Sequence, residues 1–531
     1  MLKKKKGRKK EKDELPTIPP LPDAPMIAEA GHDGVKELVP LFAYRKITEN
    51  PEPKYSVLEP PLTEQETELI AKVKKFLYDE TEFDIESDKK KGEDWVLNTL
   101  REEIWKIVNR HNLSVDSDVF NEICYYISRD FLGYGKINPL MHDPEIEDIS
   151  ISGYNIPAHV ILRGHRYYPT SIVYNQEELD SEILRLAYRT GRHISVAQPI
   201  LDAPLPDGSR VQLTYQKEVS TRGSVIQIRR FREDPFTIVD LVLNNTLSPE
   251  IAAFTWFAIE NKASVLVCGG TGAGKTSTLN VLCMFILPSL KIVTIEDTAE
   301  IRLTHLNLTS FVSRIGFGAR AEERGDIPLF ELLKASLRQS PDYIIVGEIR
   351  GQEAFVLMQA IATGHGGLCT IHGDSVSSII NRLISPPMST PKEQVAECVD
   401  LYVVQGKITT QDGRVGRRIF SLGETVVYDP NTREIVTRDL FNWDPINDSF
   451  TELQPGSRYL DKVSRRSGIP ADQLLEEIRR RRTVLEWMVQ RSRTNPEERH
   501  YTSVTALIRQ YYSNPTEVYE RATKELKEGS G

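Results

Sequence analysis

Long apolar runs are missing from this 531-residue chain. The longest candidates, such as Val281 to Leu287, fall well short of the roughly 18 residues that a membrane-spanning helix needs. An apolar leader is missing too, because the basic start, Lys3 to Lys12, runs into acidic residues and prolines. Cysteine is sparse. Cys124, Cys268, Cys283, Cys369 and Cys398 are scattered through apolar stretches without a CxxC pair, which sets aside a zinc ribbon or disulfide framework and leaves buried reduced thiols. Excess positive charge is also missing: a net charge of −9 argues against wholesale nucleic-acid binding. What remains is the composition of an ordinary cytoplasmic protein, 40% hydrophobic and 27% charged, with length for about three or four domains.

Along the chain, residues 1–60 are rich in lysine and then proline, a composition that cannot fold alone, and a disordered arm is expected. Its first twelve residues hold eight basic side chains and one acidic. From Thr63 the pattern changes: Thr63-Glu64-Gln65-Glu66 reads as a capping box, followed by one apolar helical face through Leu69, Ile70, Val73, Phe76 and Leu77. A second helix carries Leu97, Leu100, Ile104, Ile107 and Val108, giving a helical domain over 61–115. Residues 116–235 alternate helices with short strands as a smaller α/β domain, closed by Asp234-Pro235. With the domain boundary set at 236–400, strands at 264–268, 291–296, 343–347, 367–371 and 400–404 alternate with helices, which implies a parallel, doubly wound sheet. Beyond it, 401–531 reads as β-hairpins, with turns at Gln411-Asp412-Gly413 and Asp429-Pro430-Asn431, and a helical tail. The basic run Arg479 to Arg482 in that tail is expected to be a solvated helix face.

Within this frame, the apolar strand Val265-Leu266-Val267-Cys268 runs into Gly269-Gly270-Thr271-Gly272-Ala273-Gly274-Lys275-Thr276-Ser277 and then a helix reaching Leu287. This is a P-loop in its proper setting. Glycines let successive N–H groups point at phosphate oxygens, and the helix presents its positive end to the same anion. Lys275 reaches the β- and γ-phosphates of ATP, and the Thr276 hydroxyl ligates Mg²⁺.

Carboxylates decide what happens to the bound triphosphate. Ile344-Ile345-Val346-Gly347-Glu348 places Glu348 at the carboxyl edge of the sheet, where it can serve the Mg²⁺ shell or activate water, or else pair with nearby Arg350. A second strand ends in Glu296-Asp297-Thr298-Ala299-Glu300 and brings up to three more carboxylates to that edge. His365 and His372 flank one short strand and are expected at its opposite ends, which makes a shared metal site unfavourable.

Together, the P-loop, the acidic box Thr294 to Glu300, the second acidic strand Pro341 to Arg350 and the paired-histidine box resemble the type II and type IV secretion ATPases. The superfamily powers secretion, pilus assembly and the archaeal flagellum. The phrases Leu205-Pro206-Asp207-Gly208-Ser209-Arg210-Val211 and Val346-Gly347-Glu348-Ile349-Arg350-Gly351 resemble its archaeal branch, as does the lack of a tetracysteine element. The resemblance implies a RecA-like core in which Lys275 and Thr276 hold phosphate and Mg²⁺ while Glu300 and Glu348 bind metal and activate water. It further implies that His365 and His372 couple nucleotide state to conformation and that Arg210 and Arg229 are arginine fingers. By the same resemblance, the expected assembly is a homo-hexamer at the inner face of the cytoplasmic membrane, peripherally attached, docked on a polytopic platform protein and serving a pilin-like filament. The alternative is a RecA-like nucleic-acid translocase, which needs a basic channel or stacking aromatics that this acidic chain does not display.

Overall fold

In the computed structural model, residues 17–49, 52–80, 92–163, 167–232, 234–314, 325–410, 415–453 and 456–528 are described. They divide into two units, 1–231 and 232–531. Among the described residues no helix is long and apolar enough to cross a membrane.

Nine strands of the first unit are β1 (Val35–Val39), β2 (Ala43–Thr48), β3 (Lys54–Leu58), β4 (Ile146–Ile151), β5 (Pro157–Leu162), β6 (Tyr167–Val173), β7 (Ile200–Pro204), β8 (Arg210–Thr214) and β9 (Val225–Arg229). They form one sheet in the order β1-β2-β3-β6-β5-β4-β9-β8-β7. Alternating burial along β6 and β8 marks one face packed on a core and one open, and the helix Gln176–Arg189 covers the packed face with Leu179, Ile183 and Leu186. Helices α1 (Glu64–Glu80), α2 (Glu93–Arg110) and α3 (Ser117–Phe131) build a second core with Leu38 and Phe42. The capping box forms: Thr63 N donates to Glu66 Oε2 at 2.7 Å, and Glu66 N donates back to Thr63 Oγ1 at 3.3 Å.

Two expectations change here. The described part of 1–60 is not a disordered arm, since β1 to β3 extend the sheet and the Pro19 and Pro20 carbonyls accept from Arg101 and Asn121. The physical reason is borrowed burial. Tyr55 and Asp143 are 0% exposed and Arg45 6%, with Arg45 Nη1 2.6 Å and Tyr55 Oη 2.8 Å from the Asp143 carboxylate. Nor does the helical domain end at 115, because α3 supplies Phe120, Ile123 and Ile127 to the same core.

The second unit also holds one nine-stranded sheet. Its strands are β10 (Val265–Gly269), β11 (Ile292–Glu296), β12 (Leu308–Val312), β13 (Tyr343–Val346), β14 (Gly366–His372), β15 (Leu401–Thr409), β16 (Val415–Asp429), β17 (Glu434–Asp444) and β18 (Ser449–Glu452). Their order is β12-β11-β13-β14-β10-β15-β16-β17-β18, with the first six mutually parallel and the last three added antiparallel. The central parallel strands are largely apolar because both faces are covered: on β10, Val265 and Val267 enter one core, Leu266 and Cys268 the other. All five cysteines are buried and unbridged.

The strand expected at 400–404 is β15, beside β10 in register, so the sheet runs on through the expected boundary at 400/401. Of the tail helices α5 (Ala471–Thr494), α6 (Tyr501–Ser513) and α7 (Pro515–Glu528), the first two pack on α4 (Pro249–Glu260), Tyr511 meeting Trp256, and α7 packs on α5, where Glu525 accepts from Trp487. Arg481 is not part of a solvated face either; it is 4% exposed, paired with Glu260 and set over Trp256 and Phe257. The Asp429 turn is present, with Asn431 N donating to Asp429 Oδ1 at 2.8 Å, whereas the turn at 411–413 lies outside the described residues.

Candidate active site at the P-loop

β10 ends at Gly269, and the chain turns through Gly272 (φ 68°) and Gly274 (φ 90°), backbone angles that favour glycine, into the helix Lys275–Cys283. That helix is shorter than expected, ending at Cys283 and not at Leu287. Lys275 is 8% exposed, and its Nζ donates to Gly270 O at 3.0 Å across the loop. Burial moves its pKa below the ordinary lysine value.

Three adjacent parallel strands deliver the neighbours. His372, at the end of β14, is in register with Gly269, and its Nδ1 stands 3.4 Å from Lys275 Nζ. Its Nε2 faces Glu348 Oε1 at 3.1 Å, just beyond β13. The chain Lys275, His372, Glu348 therefore spans the carboxyl edge of β10, β14 and β13, where open α/β sheets bind ligands. Burial pushes Glu348 upward, but the Arg350 guanidinium, with His372 and Lys275 adding to it, holds the carboxyl below its ordinary range, so it is ionised at neutral pH. Burial, outweighing Glu348, lowers His372 and leaves it neutral there.

The pair between Glu348 and Arg350 does form, and Arg350 also reaches toward Asp297 at 3.7 Å. It leaves Glu348 Oε1 buried and facing only the His372 ring nitrogen. Mg²⁺ keeps phosphate and water ligands and needs few protein groups. A buried carboxylate oxygen near Lys275 and a threonine opening the helix fit that requirement.

Glu300 stands at the same edge in the loop after β11. Its position is set by a residue whose role the sequence pattern did not single out: Glu296, 3% exposed, accepts from Glu300 N and Ile301 N, both at 3.0 Å. Asn280, on the P-loop helix, ties the same loop down by accepting from Arg302 N at 3.0 Å. The signal for Glu296 was its place as the last residue of an apolar strand, which marks burial as readily as catalysis. A cleft beside Arg350 is lined by Asp297, Arg314, Arg350 and Glu353 and does not include the P-loop.

His365 lies apart from this edge. His365 precedes β14 at the far end from His372, where its Nδ1 is 2.8 Å from Ala360 O. A strand of that length separates it from the phosphate-binding edge. Arg210 and Arg229 belong to the first unit, directly opposite each other on β8 and β9. Arg210 makes a fork to Asp202 at 2.9 and 2.6 Å, and Arg229 lies 3.7 Å from Asp148.

Residues 170–530 match the family model for type II/IV secretion system proteins. The chain belongs to that family. With the P-loop and its carboxylates, this type II/IV secretion system protein is an ATPase. It is 33% identical over 479 residues to uncharacterized protein MJ0900 of Methanocaldococcus jannaschii, covering 85% of this chain and 84% of that one. It is 30% identical over 267 residues to type IV secretion system protein PtlH of Bordetella pertussis, covering 44% of this chain and 76% of PtlH. Among solved structures, the Legionella pneumophila ATPase DotB aligns at 20% identity with a TM-score of 0.39, over 55% of this chain and 80% of DotB.

Proposed function

We propose that this secretion-family ATPase is a motor subunit that converts Mg-ATP hydrolysis into assembly or movement of a secretion system, a type IV-like pilus or an archaeal flagellum. The observation that carries the reading is the continuous array Lys275, His372, Glu348 across three neighbouring strand ends. In it, Lys275 holds the β- and γ-phosphates and Glu348 orients the attacking water. Thr276, Glu348 and Glu300 hold Mg²⁺, which neutralises charge developing on the phosphates. His372 lies between the lysine and the carboxylate and passes the occupancy of one to the other. Arg210 and Arg229 act as arginine fingers from the first unit, so that domain closure completes the transition-state site.

A homo-hexamer working at the inner face of the cytoplasmic membrane follows from the same reading. Its partners are a polytopic platform protein and a pilin-like filament, with no nucleic acid. Steady-state hydrolysis by the purified chain and by Glu348→Gln, each with anionic vesicles or with single-stranded DNA, tests it. Turnover should fall about a hundredfold or more in Glu348→Gln while nucleotide binding persists, and vesicles but not DNA should stimulate the parent. Wild-type turnover in the variant would remove Glu348 from catalysis; stimulation by DNA alone would favour a nucleic-acid translocase.

A further inference from the structure

A second element reaches the anion-binding loop. β10 and β15 run in register, Gly269 opposite Gln405, but β10 stops there and β15 continues to Thr409. Its antiparallel partner β16 sets Arg417 opposite Lys407, so two cations stand side by side on a hairpin that overhangs the P-loop.

Both reach the loop glycines. Arg417 Nε donates to Gly272 O at 3.3 Å. A Cβ on Gly272 would lie 2.8 Å from Lys407 Nζ, and one on Gly274 would lie 3.0 Å from Arg417 Cδ. These glycines therefore serve close approach from outside the loop as well as its curvature. Under the pair, Gln405 is 2% exposed, with Nε2 3.2 Å from the same Gly274 position and Oε1 buried without a hydrogen-bond partner.

Charge makes the arrangement informative. Lys275, Lys407 and Arg417 gather at the positive end of a helix, and the loop from Gly269 to Ser277 contains no acid. Together with the helix dipole these cations set a positive potential that attracts a polyanion. We propose that Lys407 and Arg417 form a clamp, supplied by the same chain, on the phosphate groups of the bound nucleotide, with Arg417 exchanging the Gly272 carbonyl for a phosphate oxygen. The inference rests on the nucleotide reading of the P-loop. It makes the β15–β16 hairpin the part of the unit that senses whether phosphate is present, independently of the Lys275 to Glu348 array.

The test is equilibrium binding of ADP and of a non-hydrolysable ATP analogue, with Mg²⁺, to the full chain at low and high salt. The variants are Lys407→Gln, Lys407→Ala with Arg417→Ala, the charge-keeping pair Lys407→Arg with Arg417→Lys, and Lys275→Ala. The double alanine variant should bind about tenfold or more weakly, with a shallower salt dependence, and the charge-keeping pair should recover most of the loss. Lys407→Gln alters one exposed side chain and should lose about threefold, which keeps the test decisive if the double variant does not fold. Wild-type affinity in the Lys407 and Arg417 variants, with binding lost in Lys275→Ala, would overturn the clamp and leave the P-loop reading standing. A charge-keeping pair as weak as the double alanine variant would also overturn it, since the side chains would then be shaping the loop and not meeting phosphate. Failure of the parent chain to bind either nucleotide would overturn the P-loop reading itself.

Discussion

Glu296 is buried without the cation that holds Glu348 down. Burial pushes its pKa to about 7 against the N–H donation from Glu300 and Ile301, while the unfolded chain titrates near 4.5. A carboxyl that binds its proton more tightly when folded contributes stability below its unfolded value and loses that contribution as pH rises through about 7. Glu296→Gln keeps the acceptor and has no charge to bury. It should flatten the melting temperature against pH over the interval from 4.5 to about 7 and stabilise the protein above it by about 3 kcal/mol. Melting curves of both proteins from pH 5 to 8 check this; parallel curves would show that Glu296 is compensated in another way. Lys275, Thr276 and Glu348 were legible because motif and strand end coincide at them. Glu296 was ambiguous because a strand-terminal acid looks the same whether it faces the ligand or the core.

At the scale of elements, α5 separates two arginines that look alike in sequence. Arg481 is buried between Glu260 and Glu477 with Trp256, Phe257 and Tyr511 around it, whereas Arg482 pairs with Glu250 and Glu486 at 48% side-chain exposure. Arg481→Ala should cost about 2 kcal/mol or more, because it empties a buried position among aromatic rings and leaves two half-buried carboxylates without their cation, and Arg482→Ala should stay within about 1 kcal/mol. Urea unfolding of the two variants measures the difference. A basic run on an amphipathic helix reads as a solvated face until a partner helix covers one of its positions, and that partner, α4, is more than two hundred residues away in the chain. β1 to β3 escaped notice for a related reason: their short runs gain burial only from distant segments, the helical core that Leu38 and Ala43 enter and a sheet whose other strands begin at Ile146.

At the scale of the whole molecule, the arginine pair and the P-loop sit in different units. If closure brings Arg210 to the γ-phosphate, Arg210→Ala should lower kcat about a hundredfold with ADP affinity unchanged within about threefold, whereas Lys275→Ala should lose binding itself. Turnover and ADP titration on the same preparations decide it. Equal loss of affinity and rate in Arg210→Ala would assign the residue to folding through Asp202.

The sequence alone determined the local motifs. A P-loop between strand and helix, acids at two strand ends and a histidine at a third are local patterns, and local backbone geometry makes them what they are. The parallel core was legible for the same reason, since strands buried on both faces are largely apolar. Tertiary structure decided which residues meet. Register placed His372 beside Gly269 and His365 at the other end, the continuation of β15 carried Lys407 and Arg417 over the loop, and helix packing buried Arg481. Those outcomes depend on contacts between distant segments, whose energies no window along the chain contains.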